Sequence, residues 1–214
     1  MSKAVLISIR PEWVEKIASG EKTVEVRKTR PKLETPFKCY IYCTKATDRL
    51  LTVMRDGDEN YGEIYHGKPV FIKTSGETYG WLWHRQQQVV GEFVCDSVDR
   101  YIRIGFLPND YHYRGSKMEE LPLDKLCLGQ ADLRGYGNGK TLYGWHISGL
   151  KIYADPQKLS AYNFPPERYC EKGLCGGCPY DQVPNQYGEY EYDCEWRRPI
   201  SRPPQSWCYV EDNG

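Results

Sequence analysis

Between Ala4 and Arg27 the sequence changes period twice, and this constrains the fold more than anything else in the chain. Ala4-Val5-Leu6-Ile7-Ser8-Ile9 is a short β-rich run that Arg10-Pro11 interrupts. Pro11 suits the first turn of a helix, and Glu12 and Glu15 suit its positive end. Trp13, Val14, Ile17 and Ala18 recur at helical spacing, and Gly20 is placed to cap the C-terminus. Lys22-Thr23-Val24-Glu25-Val26-Arg27-Lys28 then alternates with period two, with Val24 and Val26 on one face and Thr23, Glu25 and Arg27 on the other. A strand, a helix of about nine residues and a second strand are thus expected within one short segment.

Further β-like runs occupy Phe37–Thr44, Pro69–Ile72, Gln88–Val94 and Leu142–Tyr153, punctuated by glycine and proline. Glu119–Leu128 is expected to form a second short helix, and Gly135-Tyr136-Gly137-Asn138-Gly139-Lys140 a flexible hairpin. The expected class is α+β: a mixed, mostly antiparallel, barrel-like sheet with few helices. A main domain is expected over residues 1–155 and an irregular extension over 156–214. The extension holds 8 of the chain's 14 prolines and is too poor in Val, Ile and Leu to build its own core. It must lean on the main domain or be stapled.

Charge balances at 29 basic and 29 acidic side chains, yet residues 1–50 hold 11 basic against 6 acidic and residues 167–214 hold 5 against 9. A basic surface near the N-terminus and complementary packing between the two ends both fit this asymmetry, whereas a globally cationic nucleic-acid coat does not. Apolar runs are only a few residues long, so no segment is expected to cross a bilayer. The first residues lack the apolar core of a secretory signal, and a cytoplasmic protein is expected.

Nine cysteines without an export signal argue against a disulfide framework. Cys39, Cys43, Cys95 and Cys127 are scattered and read as core thiols. Cys170, Cys175, Cys178 and Cys194 follow the spacing C-x4-C-x2-C-x15-C, with Cys208 in reserve. Thiolates two to four residues apart fit adjacent corners of a tetrahedron around zinc, and Gly176-Gly177 ease the turn between two of them. A structural zinc would supply folding energy that this lean tail lacks. Free or disulfide-paired thiols, and an iron–sulfur loop of plant-type spacing, are the other readings.

Chemistry concentrates on Lys22, Glu25 and Arg27. Two residues along a strand advance about 6.6 Å, so long Glu and Arg side chains on one face can meet. Either the three form an ordinary solvated ion-pair face, or burial leaves Lys22 or Arg10 to grip a phosphate or polarise a carbonyl. His146 and Trp145 neighbour each other on the expected closing strand and point to opposite faces. A histidine near a cleft can act as acid, base or donor, and Trp81, Trp83 and Trp145 are each able to stack on a base or to pack in the core. No P-loop, dinucleotide fingerprint, nucleophile elbow or H-E-x-x-H occurs.

The stretch Ser8-Ile9-Arg10-Pro11 … Ser19-Gly20-Glu21-Lys22-Thr23-Val24-Glu25-Val26-Arg27 resembles the G-x-K-x-x-E-x-R signature of ASCH domains, in the PUA-like superfamily. Val90–Asp96 resembles the family's central strand and Tyr143–Ser148 its closing strand. With its C-terminal Pro203–Val210, the chain looks like a phage- and prophage-associated branch of that family. The resemblance implies a PUA-like β-barrel whose cleft holds Lys22, Glu25 and Arg27 as its polar or catalytic centre, with Arg10, Thr23, Trp145 and His146 contacting substrate. It implies an RNA or modified-nucleoside ligand, and a hydrolase in some members, acting on acylated cytidine or on RNA. Lys22 matches the catalytic Lys of the hydrolase branch, whereas Glu25 stands where that branch has a threonine. The alternative is a protein-interaction module of phage origin that uses the zinc-stapled extension and has no catalysis.

Overall fold

A computed structural model describes residues 3–45, 49–54, 70–74, 83–84, 87–105, 107, 110–165 and 199–213. The run that opens the sequence folds as its periods dictate. β1 is Lys3–Ile9, α1 is Pro11–Ser19 and β2 is Val24–Arg27. Pro11 sits at the first helical position, and Gly20 ends the helix at φ 84°, in the left-handed region that favours glycine. α1 buries Val14 and Ile17, the stripe read from its spacing.

The chain continues with β3 (Phe37–Cys43), β4 (Arg49–Met54), β5 (Val70–Thr74), β6 (Trp83–His84), β7 (Gln88–Ile104) and β8 (His112–Gly115). Two helices follow, α2 (Leu123–Leu126) and α3 (Gln130–Gly137), then β9 (Leu142–Lys158) and β10 (Trp207–Glu211). The main sheet runs β10-β1-β3-β7-β9-β2 with β8 added to β7, and a small sheet has the order β5-β4-β6. Every pairing is antiparallel except β1 with β3. The α+β, sheet-dominated class therefore holds.

The closed barrel does not. The main sheet ends at β10 on one side and β2 on the other, and no ladder joins these ends among the described residues. Side chains fill the gap instead. Arg27 Nη2 donates to the Ser8 carbonyl at 2.7 Å, Trp207 Nε1 donates to Thr29 Oγ1 at 3.0 Å, and the Lys32 N–H donates to the Tyr209 hydroxyl at 2.8 Å. Strands joined by main-chain hydrogen bonds lie about 4.8 Å apart, which leaves no room for a guanidinium or an indole between them.

Both faces of the central strands are buried. Val5, Ile7 and Ile9 of β1 join Val14, Ile17, Phe37, Phe93 and Trp145 on one side, while Ala4 and Leu6 join Tyr40, Tyr162, Ile200 and Val210 on the other. A third cluster gathers Val24 and Val26 of β2 with Tyr101, Tyr113, Leu126, Leu133 and Leu142. β7 reaches the first and third clusters because its pairing with β9 shifts register three times along its 17 residues, and each irregularity adds bend and twist. The 135–140 segment, expected as a hairpin, is instead the end of α3, stopped by Asn138 in the left-handed conformation. The helix expected over 119–128 shrinks to the four residues of α2, since Pro122 stands before it. No helix among the described residues is long and apolar enough to cross a membrane.

Candidate functional site

The turn after α1 sets the geometry. The Lys22 N–H donates to the Lys16 carbonyl at 2.9 Å, the Thr23 N–H to Lys125 at 3.1 Å, and the Ile147 N–H to the Thr23 carbonyl at 2.9 Å. These bonds pin the entry to β2 between α1, α2 and β9, so the Lys22 side chain turns inward. Its ammonium donates to the Leu126 carbonyl at 2.5 Å, one of the acceptors that the end of α2 leaves without a helical partner. It also lies 3.6 Å from Glu25 Oε2 and 5.2 Å from the centre of the Trp13 ring. A cation this close to an indole face, with little water around it, gains from the ring quadrupole.

Glu25 and Arg27 share the strand face that the alternation assigns them. Arg27 Nη2 reaches Glu25 Oε1 at 3.0 Å, and Nη1 reaches Ser206 Oγ at 3.4 Å. Its Nε is buried with no hydrogen-bond partner among the described residues. Lys22, Glu25 and Arg27 are 2%, 6% and 7% exposed, which removes the solvated ion-pair face from consideration. Two cations thus share one carboxylate in a place that screens them poorly.

Above this charged floor lies a cavity of about 1120 Å³. Arg10, Glu12 and Trp13 line it from the start of α1, Lys28 and Thr29 from the end of β2, Asp132 and Tyr136 from α3, and Pro203–Ser206 from the segment before β10. Asp132 is engaged by the Gly129 N–H at 2.8 Å, as a helix cap. Lys28 Nζ stands 4.8 Å over the Tyr136 ring. Burial pushes the Tyr136 hydroxyl up, Arg27 opposes the shift and Glu25 adds to it. Trp13 and Tyr136 give the cleft two aromatic side chains beside its cations.

Of the expected site residues, the structure brings together Lys22, Glu25, Arg27 and Arg10. The other three do not line the cleft. Trp145 lies opposite Glu25 in the β2–β9 register but is wholly buried, edge-on to Phe37 and tilted against Trp207. His146 faces away with Val24 and pairs with Asp99 at 2.8 Å. Thr23 contributes its backbone to the pinned turn. Trp13, Tyr136, Ser8 and Ser206 were missed. Trp13 had a signal, as the first member of an apolar stripe beside the Arg10-Pro11 break. Tyr136 was hidden by glycines that suggest a hairpin, and Ser206 has no local signal at all.

Cys39, Cys43 and Cys95 are buried thiols as expected, whereas Cys127, expected with them in the core, is only partly buried at the end of α2. Burial pushes Cys43 and Cys95 up to about 12. The described residues hold no cluster able to grip a metal. Cys170, Cys175, Cys178 and Cys194 lie outside the described residues, as does Trp81. Cys208, in β10, packs against the tyrosine-rich cluster.

No curated protein matches the chain. Among solved structures, ASCH from Zymomonas mobilis is 14% identical with TM-score 0.48, covering 97% of this chain and 87% of that one. Two single-residue mutants of that protein give 15% and 14% identity with TM-scores of 0.45 and 0.47, covering 98% and 97% of this chain and 91% and 88% of theirs. The ASCH-domain family model matches residues 7–97, a stretch that includes the charged floor of the cleft, while the walls from α3 and from residues 203–206 lie outside it.

Proposed function

We propose that the cleft binds single-stranded RNA or a modified nucleoside. The observation that carries this reading is the buried triad: two cations and one carboxylate, each under 10% exposed, at the base of a large open cavity. Well-packed apolar residues would stabilise such a place better than ions do, and the surplus positive charge is matched by an anion. A phosphate oxygen suits Arg27 Nη1, which is only loosely held by Ser206 at 3.4 Å. Trp13 and Tyr136 offer the flat faces on which an unpaired base stacks. RNA binding is also what the ASCH resemblance implies.

Binding is favoured over turnover. Both oxygens of Glu25 are taken, one by each cation, and Thr23, the nearest hydroxyl to the hydrolase pattern in sequence, does not line the cleft. A product screen over acylated nucleosides and short RNAs decides this, with formation of either product refuting a purely binding role.

The test of binding is fluorescence anisotropy with a labelled single-stranded RNA over a series of salt concentrations. Trp13→Ala is expected to weaken affinity about tenfold or more, from the loss of one stacking platform. Arg10→Ala with Lys28→Ala is expected to flatten the salt dependence. Affinity unchanged in both variants refutes the cleft assignment.

The spacing of Cys170, Cys175, Cys178 and Cys194 carries a separate proposal, a structural zinc. Elemental analysis of the purified protein should then show about one zinc per chain. The metal should be lost when Cys175→Ser and Cys178→Ser are combined. Metal-free protein with an unchanged melting temperature sinks it.

A further inference from the structure

The charged floor does not account for one wall of the cleft. Residues 203–206 run along the cavity immediately before β10. The β1–β10 ladder ends at Ile7 opposite Trp207, and beyond it Ser8 takes over with three bonds. Its N–H donates to the Ser206 carbonyl at 2.9 Å, its hydroxyl to the Pro204 carbonyl at 2.7 Å, and its own carbonyl accepts from Arg27 Nη2 at 2.7 Å. One serine thus ties the strap 203–206 and the guanidinium to the same point of β1.

The guanidinium itself is unevenly satisfied. Of its five donors, those on Nη2 make short bonds to Ser8 and Glu25, while Nη1 reaches Ser206 Oγ at only 3.4 Å and Nε has no partner among the described residues. A bond of that length is near the limit of useful geometry, and a buried unpaired donor is costly. A ligand oxygen beside Ser206 gives Nη1 the close acceptor it lacks.

We propose that the strap 203–206 is a working wall of the ligand site and that Ser206 is a positioning residue. It holds Arg27 for an acceptor oxygen of the ligand, so that strap docking and ligand binding strengthen each other. The inference rests on the nucleotide-binding reading of the cleft. Coupling of this kind is reciprocal: whatever affinity the docked strap adds, the bound ligand returns as tighter docking of the strap. The strap and β10 meet the end of β2 through side-chain bonds rather than a ladder. Such bonds are individually weak enough for a ligand to shift.

Two measurements test this. The first needs no ligand: modification of Arg27 by phenylglyoxal, followed by peptide mass spectrometry. Ser206→Gly is expected to speed modification about three- to tenfold, the loss of one hydrogen bond to a charged group, and Ser206→Thr is expected to restore the wild-type rate. The second uses a labelled oligouridylate. Ser206→Gly should weaken binding by a similar factor while the protein stays folded, Ser206→Thr should recover it, and saturating RNA should slow amide exchange across residues 207–211 in the wild type. Equal Arg27 modification in all three proteins overturns the proposal even if RNA binds. A wild type that binds no RNA, yet shows Ser206-dependent modification of Arg27, supports the positioning role and overturns the RNA reading instead.

Discussion

Removing the shared carboxylate gives the sharpest test of the buried triad. Glu25→Ala leaves Lys22 and Arg27 as buried cations, 2% and 7% exposed. At an effective dielectric of about 20, the 3.6 Å contact with Lys22 amounts to about 4–5 kcal/mol and the 3.0 Å contact with Arg27 to about 5–6 kcal/mol. Much of this is offset, because burying the carboxylate itself costs several kcal/mol, so losses from breaking a buried pair settle at about 3–5 kcal/mol. With a urea slope of about 2 kcal/mol/M, the unfolding midpoint should fall by roughly 1.5–2.5 M. Lys22→Met removes one of the stranded cations. The double variant should therefore be more stable than the sum of the single losses predicts, by about 2 kcal/mol. Equilibrium urea unfolding of the four proteins completes the cycle. A Glu25→Ala loss below about 1 kcal/mol, or strict additivity in the double variant, would mean that these charges are effectively solvated and that the burial argument is wrong.

Two further outcomes follow from the core. Trp145→Ala empties a wholly buried site and should cost about 3–5 kcal/mol, lowering the melting temperature by roughly 6–20 °C. Trp145→Phe should cost much less, since it also removes an indole N–H without a hydrogen-bond partner among the described residues, and the reverse order in thermal unfolding would refute this. Cys43 and Cys95 are raised by burial from an ordinary 9.0 to about 12. Above pH 9 the unfolded chain loses protons that the folded chain keeps. Stability is therefore full below pH 9 and falls by about 1.4 kcal/mol per thiol for each pH unit from there towards 12. Alkaline unfolding that is identical in a Cys43→Ala, Cys95→Ala variant would exclude this cause.

What the sequence showed depended on whether a signal was local. The path from β1 through α1 to β2 was legible because a proline, a glycine and two changes of period fall within residues 4–27. Glu25 and Arg27 were legible for the same reason, since strand alternation alone puts them on one face. The alternation could not say that this face would be buried, because burial is decided by Ser8, Leu126 and Ser206, at separations of 19, 104 and 179 residues from their partners. Tyr136 was lost because Gly135 and Gly137 weaken a helix on propensity alone. Tertiary packing overrides that preference: the Tyr113 hydroxyl lies where a side chain at 137 would stand. His146 and Trp145 were rightly expected on opposite faces of one strand, but it was the family resemblance that put both at the substrate, and neither lines the cleft.

The missing barrel closure and the charged cleft have one physical origin. A strand edge exposes main-chain donors and acceptors that need partners, and a ladder between β2 and the β1–β10 edge would have met that need with backbone alone. Here the Ser8 carbonyl is met by Arg27 Nη2 instead. A guanidinium drawn into that gap must be accompanied by a carboxylate, or its burial is prohibitive, and Glu25, two residues earlier on the same face, supplies it. Lys22 then sits against the carboxylate's other oxygen and the end of α2. The open sheet thus converts an edge problem into a polar pocket. Its cost in stability is the expected price of a site that holds charge ready for an incoming anion.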